Sequence, residues 1–380
     1  MKKINVIIGT NNFGLGPVGK VSSIINFSKS NINWYACGNA FDLNIFKANT
    51  FKDILFTKNK EEIKEFVKKY NIKYSVVVLD VELSKILLDL DVKVIFVDSL
   101  PFMWTQADID EGLLPLDATV YCAQKCINLT DSSKEILNQI ENLRWINPIS
   151  NTSNKKFRPF KEKYIHINVG GLHSPIGNGE SYVYTIIIPI LKVLLRSNVN
   201  ILITGGTNAC KTINRILEEK AIKTEKLKVL TLEQNKFLSS VYNSELFLTS
   251  PGLTTIYETA NLKKETIVLP PQNLSQFYNI EFAKKILDKY KTINWETSKL
   301  NYASLKKILS KGETFVVEEI YKYITQLIDT DFVSEFEERF AYILNKDYDY
   351  KEETNFEINS NGAEDISKII IELGEKYERF

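Results

Sequence analysis

The stretch Leu246-Phe247-Leu248-Thr249-Ser250-Pro251-Gly252-Leu253-Thr254-Thr255-Ile256-Tyr257-Glu258 decides how this chain is read. Its first four residues form an apolar run of strand length, Ser250-Pro251-Gly252 is a tight turn, and a helix is expected to begin near Leu253. A buried strand turning sharply into a helix is the unit from which parallel α/β sheets are built. The same alternation extends outward in both directions. Val- and Ile-rich runs at residues 4–9, 32–37, 53–56, 74–80, 92–97 and 118–122 read as strands, with helical spacing over 60–70 and 82–90. The pattern restarts with strands at 164–169, 199–204, 228–232, 246–249 and 265–269, and helices from about Tyr182 to Arg196 and from about Lys211.

Between the two series, Asn147-Pro148-Ile149-Ser150-Asn151-Thr152-Ser153-Asn154-Lys155-Lys156 is polar and without periodicity, so it reads as a linker. A chain of 380 residues exceeds the roughly 250 at which a single core stops growing, and two domains follow. Their expected limits are 1–150 and 157–345, both Rossmann-like. A polar segment at 346–361 and an amphipathic helix over 362–380 complete the chain, the helix being expected to return to the first domain. Ligands of such sheets lie in crevices beyond the carboxyl ends of the strands.

Composition removes other classes. With 48 Lys and Arg against 47 Asp and Glu, neither nucleic acid nor an anionic membrane has an electrostatic partner here. Met1-Lys2-Lys3 leads into a short strand rather than the apolar run of a signal peptide. The longest apolar stretch, 186–195, is broken by Pro189 and Lys192 and is shorter than the roughly 20 residues of a membrane span. A cytoplasmic protein is expected. Cys37, Cys122, Cys126 and Cys210 lie in or beside apolar segments, as core thiols of a reducing compartment do. Cys122 and Cys126 would share a helix face, but the two histidines, His166 and His173, lie far along the chain, so no metal or other cofactor is expected.

The start of a helix carries backbone N–H groups without internal partners and the positive end of the helix dipole. A diphosphate over Gly252, Leu253 and Thr254, beside Ser250, would gain donors without a lysine, and Gly252 lets the backbone approach closely. Thr254 and Thr255 precede Glu258 by four and three residues and so share its helix face, roughly 5 Å of rise away. A carboxylate is acceptor-only and takes both hydroxyls of a ribose. The plainer reading of the same residues is a capped helix with a solvated Glu258. Beyond the next strand, Pro270-Pro271-Gln272-Asn273-Leu274-Ser275-Gln276 clusters amides that both donate and accept; Gln272, Asn273 and Gln276 suit sugar hydroxyls.

This stretch resembles the donor-binding signature of UDP-sugar glycosyltransferases, including the bacterial lipid II-forming N-acetylglucosaminyltransferases and the plant-type glucosyltransferases. Gly252 stands six residues before Glu258, and Pro270 and Gln272 follow at the spacing of those families. The resemblance implies a GT-B fold, two Rossmann-like domains facing across a cleft. It also implies uracil contacts near Leu230 to Leu232, and a nucleotide-lining role for Gly205-Gly206-Thr207. Adding Gly16-Pro17-Val18-Gly19-Lys20 and Val97-Asp98-Ser99-Leu100-Pro101-Phe102-Met103-Trp104, the whole pattern is similar to cytosylglucuronate synthases. That narrower resemblance implies transfer of glucuronic acid from UDP-glucuronate to N1 of cytosine or hydroxymethylcytosine, with small molecules as the only partners.

The first-domain loop lacks the histidine that many such enzymes carry there. Gly16 is expected beside the donor, and Lys20 at a helix start is expected to face the cleft and pair with a donor carboxylate or the diphosphate. Asp98, or Asp108, is the candidate base for a cytosine nitrogen, although Asp98 reads equally well as a turn cap. Gly14 to Lys20 also nearly spells a P-loop, with Val76-Val77-Val78-Leu79-Asp80 as a magnesium-binding strand end. Val21 stands where a P-loop needs Ser or Thr, so an NTPase or kinase is a minor alternative. In the second domain, Val169-Gly170-Gly171-Leu172-His173-Ser174 should line the cleft, Gly171 and Ser174 beside the donor and His173 near a phosphate or leaving group. His166, inside a strand, reads as a core histidine. A UDP-sugar 2-epimerase of the same fold is the remaining alternative, and the oligomeric state is not legible.

Overall fold

Runs such as Tyr74–Val78 and Val120–Gln124 are buried at every position, which requires a sheet covered on both faces. The computed structural model describes residues 3–28, 31–150, 152, 157, 162–172, 176, 179–287, 290–345 and 361–377. His173, Ser174, most of the polar segment at 346–361 and linker residues 151 and 153–156 lie outside the described residues. The chain divides into two compact units, one of Met1–Asn12, Pro17–Ser153 and Ile358–Phe380, the other of Phe13–Gly16 and Asn154–Glu357.

The first unit holds a parallel sheet of β1 (Ile4–Thr10), β2 (Ile32–Cys37), β3 (Ile54–Leu55), β4 (Tyr74–Val78), β5 (Lys93–Asp98), β6 (Val120–Gln124) and β7 (Leu143–Ile146). Their order is β3-β2-β1-β4-β5-β6-β7, with Val6 opposite Trp34 on one side and Tyr74 on the other. Ile7, Val77, Phe96 and Tyr121 form its core with Leu83 and Leu87 of the helix Val81–Asp89. β7 escaped the sequence reading because it is an edge strand with only Ile146 buried. Cys122 sits in β6, opposite Val97 and Arg144, which corrects the expectation that Cys122 and Cys126 share a helix face.

The helix Gly362–Tyr377 belongs to this unit. Asp365 accepts from the Asn147 backbone at 3.1 Å and Glu372 pairs with Arg144 at 2.7 Å. A Cβ at Gly362 would fall 2.0 Å from the Asn147 carbonyl oxygen, so only glycine lets the helix start this close.

The second unit holds β8 (Ile165–Asn168), β9 (Ile201–Thr204), β10 (Leu227–Leu230), β11 (Leu246–Thr249), β12 (Thr266–Val268) and β13 (Lys291–Thr292), all parallel, in the order β10-β9-β8-β11-β12-β13. The helix expected from about Tyr182 begins earlier. Gly179–Tyr182 leads into the wide turn Val183–Ile187 and then into Ile188–Arg196. Pro189 has no N–H for the carbonyl four residues back, and the turn widens so that the Ile188 N–H reaches the Val183 oxygen. The next helix, Thr207–Glu219, starts four residues before Lys211, directly after Gly206. Among the described residues no helix is long and apolar enough to cross a membrane.

Candidate functional site

Each sheet reverses direction once in its strand order, between β1 and β4 in the first unit and between β8 and β11 in the second. Beyond the carboxyl ends of the strands at such a reversal, the flanking loops part and leave a crevice. In the second unit β8 ends at Asn168, whose side chain donates to Thr249 Oγ1 at 3.1 Å and accepts from the Gly170 N–H at 3.1 Å. β11 then runs through Ser250-Pro251-Gly252 into the helix Leu253–Asn261.

That helix start has no side-chain cap. Gly252 adopts φ −69 and ψ 130, which any residue can take, so its missing side chain serves access rather than conformation. A Cβ there would meet nothing closer than Thr255 Oγ1 at 3.9 Å. Leu253 and Thr254 are buried and Thr255 is half-buried. Glu258 is only 4% exposed, which corrects the plainer reading of a solvated glutamate.

Beyond β12 the chain passes through Pro270 and Pro271, whose carbonyls are held by Tyr182 Oη–H at 2.8 Å and Trp295 Nε1–H at 2.7 Å. Asn279 Nδ2 likewise donates to the Pro251 carbonyl at 2.7 Å. Gln272 is fully buried; its backbone N–H donates to Gln276 Oε1 at 2.8 Å and its Nε2 to Ser250 Oγ at 2.6 Å. Gln272 Oε1 has no hydrogen-bond partner among the described residues. Asn273 caps the helix Leu274–Phe282, accepting from the Gln276 N–H at 3.1 Å. A Cβ at Gly171 would lie 2.7 Å from Gln272 Nε2 and 2.9 Å from Gln276 Nε2, so the amides pack directly on its backbone.

The second unit thus brings together Gly171, Ser250, Gln272, Asn273 and Gln276 with the helix bearing Thr254, Thr255 and Glu258. Gly205 follows β9, where a Cβ would fall 2.7 Å from Val169 Cγ2, and Gly206 begins the Thr207 helix without a side-chain cap. Leu232 is half-buried in the loop after β10, and Leu230 is 44% exposed. Gly16 clusters with this unit, and a Cβ on it would stand 3.8 Å from Thr254 Oγ1. Tyr182, Trp295, Asn168 and Asn279 escaped the sequence reading, because no spacing in the chain ties them to residues 250–276.

The first unit places its candidates differently. Lys20 lies in the second turn of the helix Gly16–Phe27 and is 3% exposed, rather than standing at the helix start. This corrects the P-loop alternative, because residues 16–19, which would have to wrap a phosphate, are already helical. Asp80 does not end a strand towards a metal; it caps the helix Val81–Asp89 through the Leu83 N–H at 3.1 Å and pairs with Lys58 at 2.9 Å. Asp98 is fully buried and accepts from Trp104 Nε1 at 2.8 Å, Tyr121 Oη at 2.9 Å and the Leu100 N–H at 3.0 Å. Burial raises its carboxyl to about 6, against the pull of these donors. Asp108 forms a capping box with Thr105. In the second unit, His166 is buried, 2.7 Å from Thr204 Oγ1 and packed on Phe237 and Phe247, and burial lowers it to about 3, so it is a neutral core residue.

Two parallel sheets with one strand order, each flanked by crossover helices, are two Rossmann-like units, and the solved structures they resemble are of the GT-B class. No family model matches the chain, and no curated protein does. Among solved structures it is similar to Methanocaldococcus jannaschii UDP-GlcNAc 2-epimerase in complex with UDP-GlcNAc and UDP, at 16% identity and a TM-score of 0.56, over 97% of this chain and 99% of that one. It is similar to MnaA of S. aureus in a co-structure with UDP, at 11% identity and 0.54, over 100% and 97%. It is also similar to UDP-GlcNAc 2-epimerase of Neisseria meningitidis bound to UDP-GlcNAc, at 13% identity and 0.51, over 98% and 100%.

Proposed function

We propose that this chain is a UDP-sugar enzyme that transfers the sugar to a small acceptor, with the donor bound at the β8–β11 reversal of the second unit. The observation that carries this reading is the uncapped helix start at Gly252 with the buried Glu258 on the same helix. The diphosphate takes the helix N–H groups, Glu258 the ribose hydroxyls, and Gln272, Asn273 and Gln276 the sugar. In the transfer, the bond from the sugar's anomeric carbon to the diphosphate oxygen breaks and UDP leaves with the electron pair. A bond to the acceptor forms as the acceptor loses its proton to a base. The helix-terminal amides stabilise the departing charge, with His173 and Ser174 as further candidates beside the phosphates, and no metal is invoked.

The narrower reading, resting on the resemblance alone, is transfer from UDP-glucuronate to N1 of cytosine or hydroxymethylcytosine, with Lys20 pairing the carboxylate and Asp98 as base. Lys20→Ala then weakens UDP-glucuronate more than UDP-glucose; equal losses remove Lys20 from that role. The second reading is a 2-epimerase, supported by the solved structures the chain resembles. Against it, among the described residues gathered at the reversal Glu258 is the one carboxylate beside amides and hydroxyls, a set suited to holding a sugar rather than to exchanging its carbon-bound protons.

The deciding experiment incubates the protein with UDP-glucose, UDP-GlcNAc and UDP-glucuronate, with and without cytosine. Acceptor-dependent UDP release supports transfer. Deuterium uptake at C2 from heavy water without UDP consumption supports the epimerase and rejects transfer. Glu258→Ala should weaken UDP at least tenfold, the loss of hydrogen bonds to a charged group being about 1.5–3 kcal/mol. Unchanged affinity in a variant of normal melting temperature excludes Glu258 from the ribose.

A further inference from the structure

Four groups of the second unit are joined by hydrogen bonds whose direction is fixed from one end. The Pro270 carbonyl can only accept, so the 2.8 Å contact uses the Tyr182 proton. The Tyr182 oxygen is then an acceptor, and Ser250, 3.2 Å away, is its donor. Ser250 Oγ in turn accepts the Gln272 Nε2–H at 2.6 Å. Turning the Gln272 amide over would draw the serine proton away from Tyr182 and lose one of these three bonds, so the network holds the amide one way round. Burial keeps the Tyr182 phenol protonated and excludes water from the chain: Tyr182 is 1%, Ser250 5% and Gln272 0% exposed.

One atom is left over. Gln272 Oε1 is buried without a partner among the described residues, and an acceptor so placed is uncommon in folded proteins. Taking the site as the sugar subsite of a UDP-sugar, we propose that Gln272 Oε1 requires a hydrogen-bond donor from the sugar, and that Tyr182 imposes this requirement as a positioning residue acting through Ser250. Removing the Tyr182 hydroxyl releases the serine proton, which then donates to the amide oxygen. The amide turns, and Nε2 faces the sugar in its place. A subsite that demanded a donor becomes one that offers one.

Calorimetric titration with UDP, UDP-glucose and its 2-, 3-, 4- and 6-deoxyfluoro analogues tests this, since a fluorine cannot donate. In the wild type one analogue binds at least tenfold more weakly than UDP-glucose. In Tyr182→Phe that ratio falls below threefold while UDP affinity stays within twofold. Ser250→Ala breaks the same chain one link nearer and serves if Tyr182→Phe does not fold; it too lowers the ratio below threefold. All analogues binding within threefold of UDP-glucose in the wild type would overturn the proposal, as would a ratio that survives both substitutions. A wild type that binds neither UDP nor UDP-glucose defeats the functional reading itself, a separate result.

Discussion

The two reversals share a strand order and differ in what their own side chains already hold. In the first unit the helix after β4 begins under the carboxylate of Asp80, which caps the Leu83 N–H and pairs with Lys58. Asp98, at the end of β5, is enclosed by three donors. In the second unit the equivalent helix, after β11, begins at Gly252 with no side-chain cap, and beyond β12 the buried Gln272 amide oxygen has no donor among the described residues. A helix start already occupied by a carboxylate repels a phosphate; one without a side chain accepts it. Topology therefore marks two crevices, and the proposed nucleotide site is the second, whose helix start carries no carboxylate cap of its own.

The comparison is tested most strongly through the enclosed carboxylate. Burial raises Asp98 to about 6, above the ordinary value of about 3.9, so the folded chain binds a proton that the unfolded chain releases between these limits. Its contribution to stability is fully present below about 3.9 and is lost as the pH rises through 6, a change of about 3 kcal/mol. Urea titrations from pH 4 to 7 should show this slope in the wild type and not in Asp98→Asn. Equal slopes would mean that Asp98 is not enclosed as described.

Next in size is the conversion of one reversal into the other. Gly252 has an ordinary φ and room for a side chain, so Gly252→Asp can install at the second reversal the carboxylate cap that Asp80 provides at the first. The fold should keep or gain stability, by roughly a few tenths of a kcal/mol, while UDP affinity falls about a hundredfold, near 3 kcal/mol. Retained affinity would move the diphosphate away from this helix.

The strands flanking both reversals were legible in the sequence because strands buried on both faces are written as continuous apolar runs. β7 and β13 were not, since an edge strand keeps few apolar positions and β13 has two residues. The turn at Ser250-Pro251-Gly252 and the position of Glu258 were legible because both lie within one strand–turn–helix unit. Burial was not: Lys20 was read as facing the cleft from a helix start and is 3% exposed in the second turn, since spacing on one helix does not say what packs over it. Tyr182 was hidden for a related reason, its hydroxyl meeting Ser250 and Pro270 across 68 and 88 residues of chain.

The smallest effect separates the roles of the two helix starts. Asp80→Ala removes the cap on Leu83 and leaves Lys58 with Glu82, 2.6 Å away and exposed, as its remaining ion-pair partner. Stability should fall by about 1–2 kcal/mol. Asp80→Ser restores a capping oxygen without the charge, and it should recover roughly half of that loss, the remainder belonging to the pair with Lys58. Neither variant should change UDP affinity more than twofold, because the first reversal closes on its own side chains. A drop in UDP affinity with Asp80→Ala that Asp80→Ser does not repair would assign the Asp80 charge to the ligand, and the contrast between the two helix starts would then fail.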